Sequence, residues 1–273
     1  MRERNRLNNR RCGIRRWGLV ATPGGLLVGV AVLAACASAT PPSRLADYMG
    51  QQALSASAFA STLPEQRPIR AGLVVISDTT APDAAPALPD EALNRLSELL
   101  RQEFSEFLPI AVEKIIPADG IQPGGAASQF SELGKKYGVE YLLLVVGSST
   151  EQEYPVYVFL GWTSHMQPGF RRDNWSLLEV ALVEVKSGQT LLHAEGRAWA
   201  TLDSPSAPGI NQWYPVVYLR PQDPERHWWP PTYAGAPNTL RVIAMNQAAK
   251  RLILNLQDAW NQKRQAELSA SRG

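Results

Sequence analysis

The side chain best equipped for chemistry in this 273-residue sequence is Cys36, one of only two cysteines, and its surroundings specify the reaction. Seven arginines lie in the first seventeen positions, opposed by Glu3 alone, and an uncharged run from Gly18 to Ala35 follows them. A basic segment, an apolar stretch and a small-residue zone in that order are the parts of a signal peptide. Eighteen uncharged residues also approach the length of a membrane span. Pro23, Gly24, Gly25 and Gly29 nevertheless weaken a helix in lipid, and Leu33-Ala34-Ala35-Cys36 completes a bacterial lipobox. Cleavage is therefore expected after Ala35, with diacylglycerol attached to the Cys36 thiol. Two or three acyl chains hold a protein on a membrane stably, where one binds only reversibly.

Elsewhere the chemistry-bearing residues are sparse. The three histidines, His165, His193 and His227, are dispersed. His193 has Glu195 two positions on, so in a strand both side chains share a face. A surface hydrogen bond explains that spacing, and a general base also needs a reacting partner nearby. The sequence has no Gly-x-Ser-x-Gly elbow, no phosphate-binding loop with Lys-Ser/Thr and no His-Glu-x-x-His. Gly124-Gly125 follows Pro123 and reads as a turn. No catalytic residue, metal ligand or cofactor is expected, and a periplasmic hydrolase working near His193 and Glu195 is the alternative.

Charge narrows the partners. Removal of residues 1–35 converts the formal +2 of the whole chain to about −4, and no Lys/Arg stripe follows Cys36. Nucleic acid is excluded on that ground, since phosphate neutralisation needs clustered cations, and an anionic lipid patch is disfavoured. With Cys12 removed and Cys36 acylated, no disulfide can form, so stability must come from the core of roughly 200 folded residues. Ala37, where Asp would signal inner-membrane retention, implies the outer membrane. Arg15-Arg16 loosely matches a twin-arginine signal, but the general secretory route is favoured.

The elements that must position a binding surface follow from periodicity. Residues 36–67 are rich in Ala, Ser and Pro and read as a tether, with local docking of Arg44 to Met49. Ile69 to Ile76 is a β-branched run of strand length. A helix opens at Pro89-Asp90-Glu91 and carries Leu93, Leu96, Leu99, Leu100, Phe104, Phe107 and Leu108 at spacings of three and four, with Pro109 as its stop. A strand over 110–116 and a short helix bearing Phe130, Leu133 and Tyr137 precede Val139 to Val146, which is apolar at nearly every position and so expected as a central strand covered on both faces. Tyr154–Trp162 and Ser176–Thr201 read as extended, the latter a hairpin around Lys186-Ser187-Gly188-Gln189. A helix from about Thr239 to Glu267 closes the domain. The expected fold is mixed α+β: a β-α-β-α-β start, then antiparallel hairpin strands, then a long C-terminal helix on the sheet. It forms a single domain over 68–268, with a disordered tail at 269–273.

The stretch 204–237 stands out, with seven prolines between Pro205 and Pro231 and the aromatics Trp213, Tyr214, Tyr218, Trp228, Trp229 and Tyr233. A long loop in a small domain is functional or disordered, and aromatics are scarce in disorder. Trp213, Tyr218, Trp228, Trp229 and Tyr233 are the candidate binding surface, since Trp and Tyr give rigid contact area to a protein or glycan. A structural lid over the core is the equal alternative.

Leu33-Ala34-Ala35-Cys36, Leu45-Ala46-Asp47-Tyr48, Ile115-Ile116-Pro117, Gln122-Pro123-Gly124-Gly125, Tyr137-Gly138-Val139 and Leu254-Asn255-Leu256 together resemble the rhombotarget lipoproteins, loosely but over most of the mature chain. That resemblance implies an exported lipoprotein of unassigned activity, associated with a rhomboid-like sorting protease. The carboxyl end, Ser269 to Gly273, lacks the Gly-Gly, apolar helix and basic tail that direct cleavage would need. At fold level the strand order also resembles periplasmic lipoprotein domains of the curli-secretion-channel and Tol types. The sequence reading is thus a non-enzymatic binding or envelope-assembly module, periplasm-facing at the outer membrane, held by lipid on Cys36 and directed to an envelope protein or glycan.

Overall fold

Leu142 to Val146 are fully buried because strand β3 (Tyr141–Phe159) lies between β1 (Ile69–Asp78), its parallel neighbour, and β4 (Met166–Glu184), its antiparallel one. The computed structural model describes residues 41–50, 53–54, 62–65, 68–124, 128–159, 166–206, 214–221 and 226–271. Ala35, Cys36, His165 and Trp213 lie outside them.

One seven-stranded mixed sheet runs in the order β2-β1-β3-β4-β5-β6-β7, where β2 is Ile110–Ile116, β5 Thr190–Pro205, β6 Val216–Arg220 and β7 His227–Trp228. The two pairings of β1 are parallel and all others antiparallel. Helix α1 is Leu45–Met49, α2 Asp90–Phe107, α3 Ser128–Tyr137 and α4 Ala236–Ala270. The mixed α+β expectation, with its long C-terminal helix packed on the sheet, is the observed architecture.

Alternation sorts the sheet residues onto two faces. Leu143, Val145, Leu178, Val180, Leu182, Leu192 and Ala194 pack under α2 and α4, and Ala200, Leu202, Val217 and Leu219 continue that face toward the first turns of α4. The opposite face carries Val74, Ile76, Leu144, Val146 and Ala181 under α1 and α3. Full burial of each such Leu or Val contributes about 1.5–3 kcal/mol, so this half of the sheet holds the fold.

Small residues set how closely α4 sits. Its buried stripe includes Ala244, Ala248 and Ala249 between Leu240 and Leu252, and a Cβ on Gly196 would come within 2.1 Å of the Ala248 carbonyl oxygen. Helix backbone therefore lies directly on β5. Gly188, at φ +69°, makes the β4–β5 turn in the left-handed region that glycine tolerates.

Three expectations change. The β3–β4 hairpin is far longer than the apolar run suggests, with nineteen residues in each strand. Polar residues 148–153, between the expected strand Val139–Val146 and the extended Tyr154–Trp162, are themselves extended through ladder pairing to residues 172–177. The cross-strand ion pair Glu153–Arg172 at 2.5 Å supports them. The expected loop 204–237 contains β6, β7 and the start of α4, because Val216 to Leu219 complete the apolar face under that helix. Phe107, placed on the buried stripe of α2 by its spacing, is exposed, while Phe104 and Leu108 fill the core at that end of the helix.

Within the stretch read as a tether, residues 43–49 dock on the sheet. The Glu179 carboxylate, 5% exposed, accepts from Ser43 Oγ at 2.5 Å and from the Arg44 and Leu45 amides at 2.6 and 3.0 Å. These amides open α1, where unpaired N–H groups favour an anion. Leu45, Tyr48 and Met49 bury their side chains. Further on, Leu63 is buried and its amide donates to Glu267 at 2.6 Å.

Candidate binding face

Beyond the cover of α1 and α3, the same sheet face continues over β4, β5 and β6 with different residues. Register places Trp175 opposite Trp199, and Trp199 opposite Arg220. The two indoles stack at 5.5 Å between centroids with 23° between planes. The Arg220 guanidinium lies over Trp199 at 5.5 Å and over Tyr218 at 5.0 Å, arrangements that ring quadrupoles favour. Tyr218 is 5.8 Å from His227, which is 6.1 Å from Trp229. An aromatic ladder with arginine in its middle thus crosses four strands, with Trp199 37% and Trp229 51% exposed.

Beneath it, charge is tightly matched. Arg171 makes a bidentate pair with Asp203 at 2.6 and 2.8 Å, and the hydrogen bond from this arginine's guanidinium to the carboxylate raises its pKa further. Asp203 also accepts from Tyr218 Oη at 3.0 Å. Burial first, then the nearby Asp203 charge, push the Tyr218 phenol well above its usual range, so it stays protonated. Asp173 accepts from Tyr154 Oη at 2.7 Å and Thr201 Oγ1 at 2.5 Å. With every hydroxyl and carboxylate of this network partnered, the ladder is fixed in place.

Of the residues singled out in sequence, Trp229 belongs to the ladder's exposed end. Tyr218 belongs to it too but is 4% exposed, reaching the surface only as Arg220's ring partner. Trp228 pairs with Val217 and turns to the other face, against Ile243 and the α4 core. Tyr233 is half-buried, its hydroxyl enclosed. The structure thus sends Tyr218 and Trp229 to one side of the sheet and Trp228 to the other, and Trp213 lies outside the described residues. Trp175, Trp199 and Arg220 were missed. The alternation His193, Glu195, Arg197, Trp199 was visible, but Arg220 joins only through the β5–β6 register.

His193 and Glu195 share the outer face of β5, as the spacing requires, but no hydrogen bond joins them. Glu195 instead accepts from Arg197 at 2.8 Å, and that hydrogen bond holds its carboxyl below the usual range. His193 lines a largely apolar groove of about 680 Å³ beside α4. There Lys263 donates to the Leu191 carbonyl at 2.7 Å and its pKa is lowered by burial. Among the described residues no hydrogen bond joins a nucleophile to a base in this groove, the pairing that activates a hydrolytic nucleophile. Among the described residues no cluster of three or more His, Cys, Asp or Glu is placed to hold a metal ion, and no helix is long and apolar enough to cross a membrane.

A second exposed surface lies at the far end of the β3–β4 hairpin. Pro155, Tyr157, Met166, Pro168 and Phe170 share the face opposite the ladder by register, and Tyr157 is 68% exposed.

No family model matches the chain, and no curated protein matches it. Solved structures give low-level likenesses. A proposed neuraminyllactose-binding hemagglutinin homologue from Helicobacter pylori aligns at 10% identity and a TM-score of 0.36, over 77% of this chain and 95% of its own. A proposed lipoprotein from Caulobacter crescentus aligns at 12% and 0.30, over 70% and 91%. Lipoprotein GNA1162 from Neisseria meningitidis aligns at 14% and 0.29, over 52% and 90%. At such scores these likenesses carry no argument about activity.

Proposed function

We propose that the protein is a bacterial envelope lipoprotein, anchored through lipid on Cys36, whose α+β domain is a non-enzymatic binding or assembly module working through the open face of β4 to β7. The observation that carries the reading is the aromatic–arginine ladder. Trp199, Arg220 and Trp229 are held by ring stacking above a partnered polar network, on a stretch of sheet that none of the described helices covers. Large apolar surfaces left open on a well-packed domain mark interaction sites, and Trp, Tyr and Arg dominate interface energetics. The lipobox and the resemblance to rhombotarget lipoproteins support an envelope location. Ala37 supports the outer membrane, periplasm-facing, and the partner class is an envelope protein or glycan.

In-cell photo-crosslinking from probes replacing Trp199 and Trp229 tests the reading. The expected result is one discrete adduct from both positions, lost when Cys36→Ala abolishes acylation and membrane retention. Adducts from neither position, or retention of the membrane fraction by the Cys36→Ala variant, would overturn it.

A further inference from the structure

A cavity of about 360 Å³ opens at the edge of this face, walled by Trp175, Trp199, Arg197, Arg220 and Arg251 and by Pro41 of the docked amino-terminal segment. Three arginines line it, and among the described residues no carboxylate does. Arg220 and Arg251 donate to neutral acceptors, Arg220 Nε to Thr201 Oγ1 at 3.1 Å and Nη2 to Tyr218 Oη at 3.3 Å, and Arg251 Nη1 to the Arg197 carbonyl at 2.6 Å, while Arg197 donates both to the Pro41 carbonyl at 3.1 Å and to the Glu195 carboxylate at 2.8 Å. The nearby carboxylates are engaged elsewhere, Asp203 with Arg171, Glu179 with Ser43 to Leu45, and Glu195 with Arg197. Among the described residues only Arg197 carries a carboxylate directly on its guanidinium; Arg220 reaches Asp173 and Asp203 only through the Thr201 and Tyr218 hydroxyls, so positive charge is in excess at the cavity wall. Like charges held together without a counter-ion raise the energy of the free protein, and an anion relieves it.

We propose that this cavity binds a phosphate group, the ligand-side half of the contact made by the open face. The proposal rests on the binding-module reading above and narrows it. Guanidinium forks match phosphate oxygens two at a time. Arg220 is pre-oriented by its place over Trp199 and Tyr218, which lowers the ordering cost of each new hydrogen bond. The overall acidity of the mature domain does not oppose this, because no described carboxylate lines the cavity itself. The phosphate comes either from a soluble phosphate ester or from a phospholipid headgroup, and Pro41 in the cavity wall is only five residues from Cys36.

The test uses the full-length protein in neutral detergent, titrated with inorganic phosphate, with glucose 6-phosphate, and with vesicles of phosphatidylglycerol against phosphatidylcholine. Binding is read by calorimetry and by tryptophan fluorescence. Saturable binding of the soluble phosphates identifies a general phosphate site, and binding of phosphatidylglycerol vesicles alone identifies a headgroup site. Either result supports the proposal when Arg220→Ala and the surface change Arg251→Glu each weaken binding about tenfold or more, and when Arg95→Ala, on α2, leaves it unchanged. Arg220→Lys is expected to behave like Arg220→Ala, because a lysine cannot present the fork. Equal binding by wild type and the Arg220→Ala/Arg251→Glu double variant, or no saturable binding of any probe, overturns the proposal. Crosslinking from Trp199 and Trp229 would still stand in that event, so the two readings fail separately.

Discussion

The two halves of the sheet are built from the same strands and do opposite work. Over β1 and β3 both faces are covered, by α2 and α4 on one side and α1 and α3 on the other, and the residues between are aliphatic and fully buried. Over the outer parts of β4, β5 and β6 one face keeps its aliphatic layer under α4, while the other exchanges it for paired charges topped by Trp175, Trp199 and Arg220. A strand can thus be structural at one end and presentational at the other. What changes along it is whether the facing helix continues, and α1 and α3 stop where the ladder starts.

The contrast predicts unequal responses to substitution. Leu144→Ala, in the doubly covered half, is expected to cost about 2–5 kcal/mol, read as a lowered midpoint in urea denaturation. A loss under 1 kcal/mol would show that this half is less tightly packed than its burial implies. Gly196→Val, where α4 backbone lies on β5, should cost about 1–3 kcal/mol by overpacking; a variant with wild-type melting would mean the helix can stand off the sheet. Trp199→Ala, on the open face, should cost only about 0.5–1.5 kcal/mol from the lost ring pair while abolishing the crosslinked adduct. Equal losses from Leu144→Ala and Trp199→Ala would erase the distinction between the halves.

A smaller and more local effect concerns the docked segment 43–49. Asp78 is buried, which alone would raise its pKa, but hydrogen bonds from Arg44 and Thr80 outweigh that and hold it below the usual value. Its contribution to docking is therefore complete above the unfolded-chain value near 3.9 and is lost as pH falls through the lowered folded value. A spin label at Asp47 should report release of the segment only on strong acidification, and Asp78→Asn should remove that dependence. Release already near pH 6 would assign control to another group. Tyr48, raised to about 12 by burial and then by Asp78, remains neutral throughout the physiological range.

How much of this was legible in sequence follows from which forces are local. Helix α2 and strand β2 were readable to within a residue or two, because leucines at three- and four-residue spacing and Pro109 act over one or two turns. The polar continuation of β3 was not, since Ser148 to Glu153 have no strand signal of their own and are held extended by partners 19 to 29 positions away. Docking at Arg44 to Met49 was readable in outline, but not its receptor, because Glu179 is some 135 positions distant. The aromatic richness of 204–237 was visible, while its division was not: β6–β7 pairing sends Trp228 to the core and Trp229 to the surface. The ladder needs the register of four strands at once, and no local pattern encodes that.

The most direct test of the open face as the working surface is hydroxyl-radical footprinting of the protein in native envelope fragments, compared with the protein purified in detergent. The account predicts that oxidation of Trp199 and Trp229 falls in the envelope, while Phe107 and Leu254, apolar and comparably exposed but on the helical side, are oxidised alike in both. Protection at Phe107 and Leu254 with Trp199 and Trp229 unchanged would place the partner on the helices and contradict it.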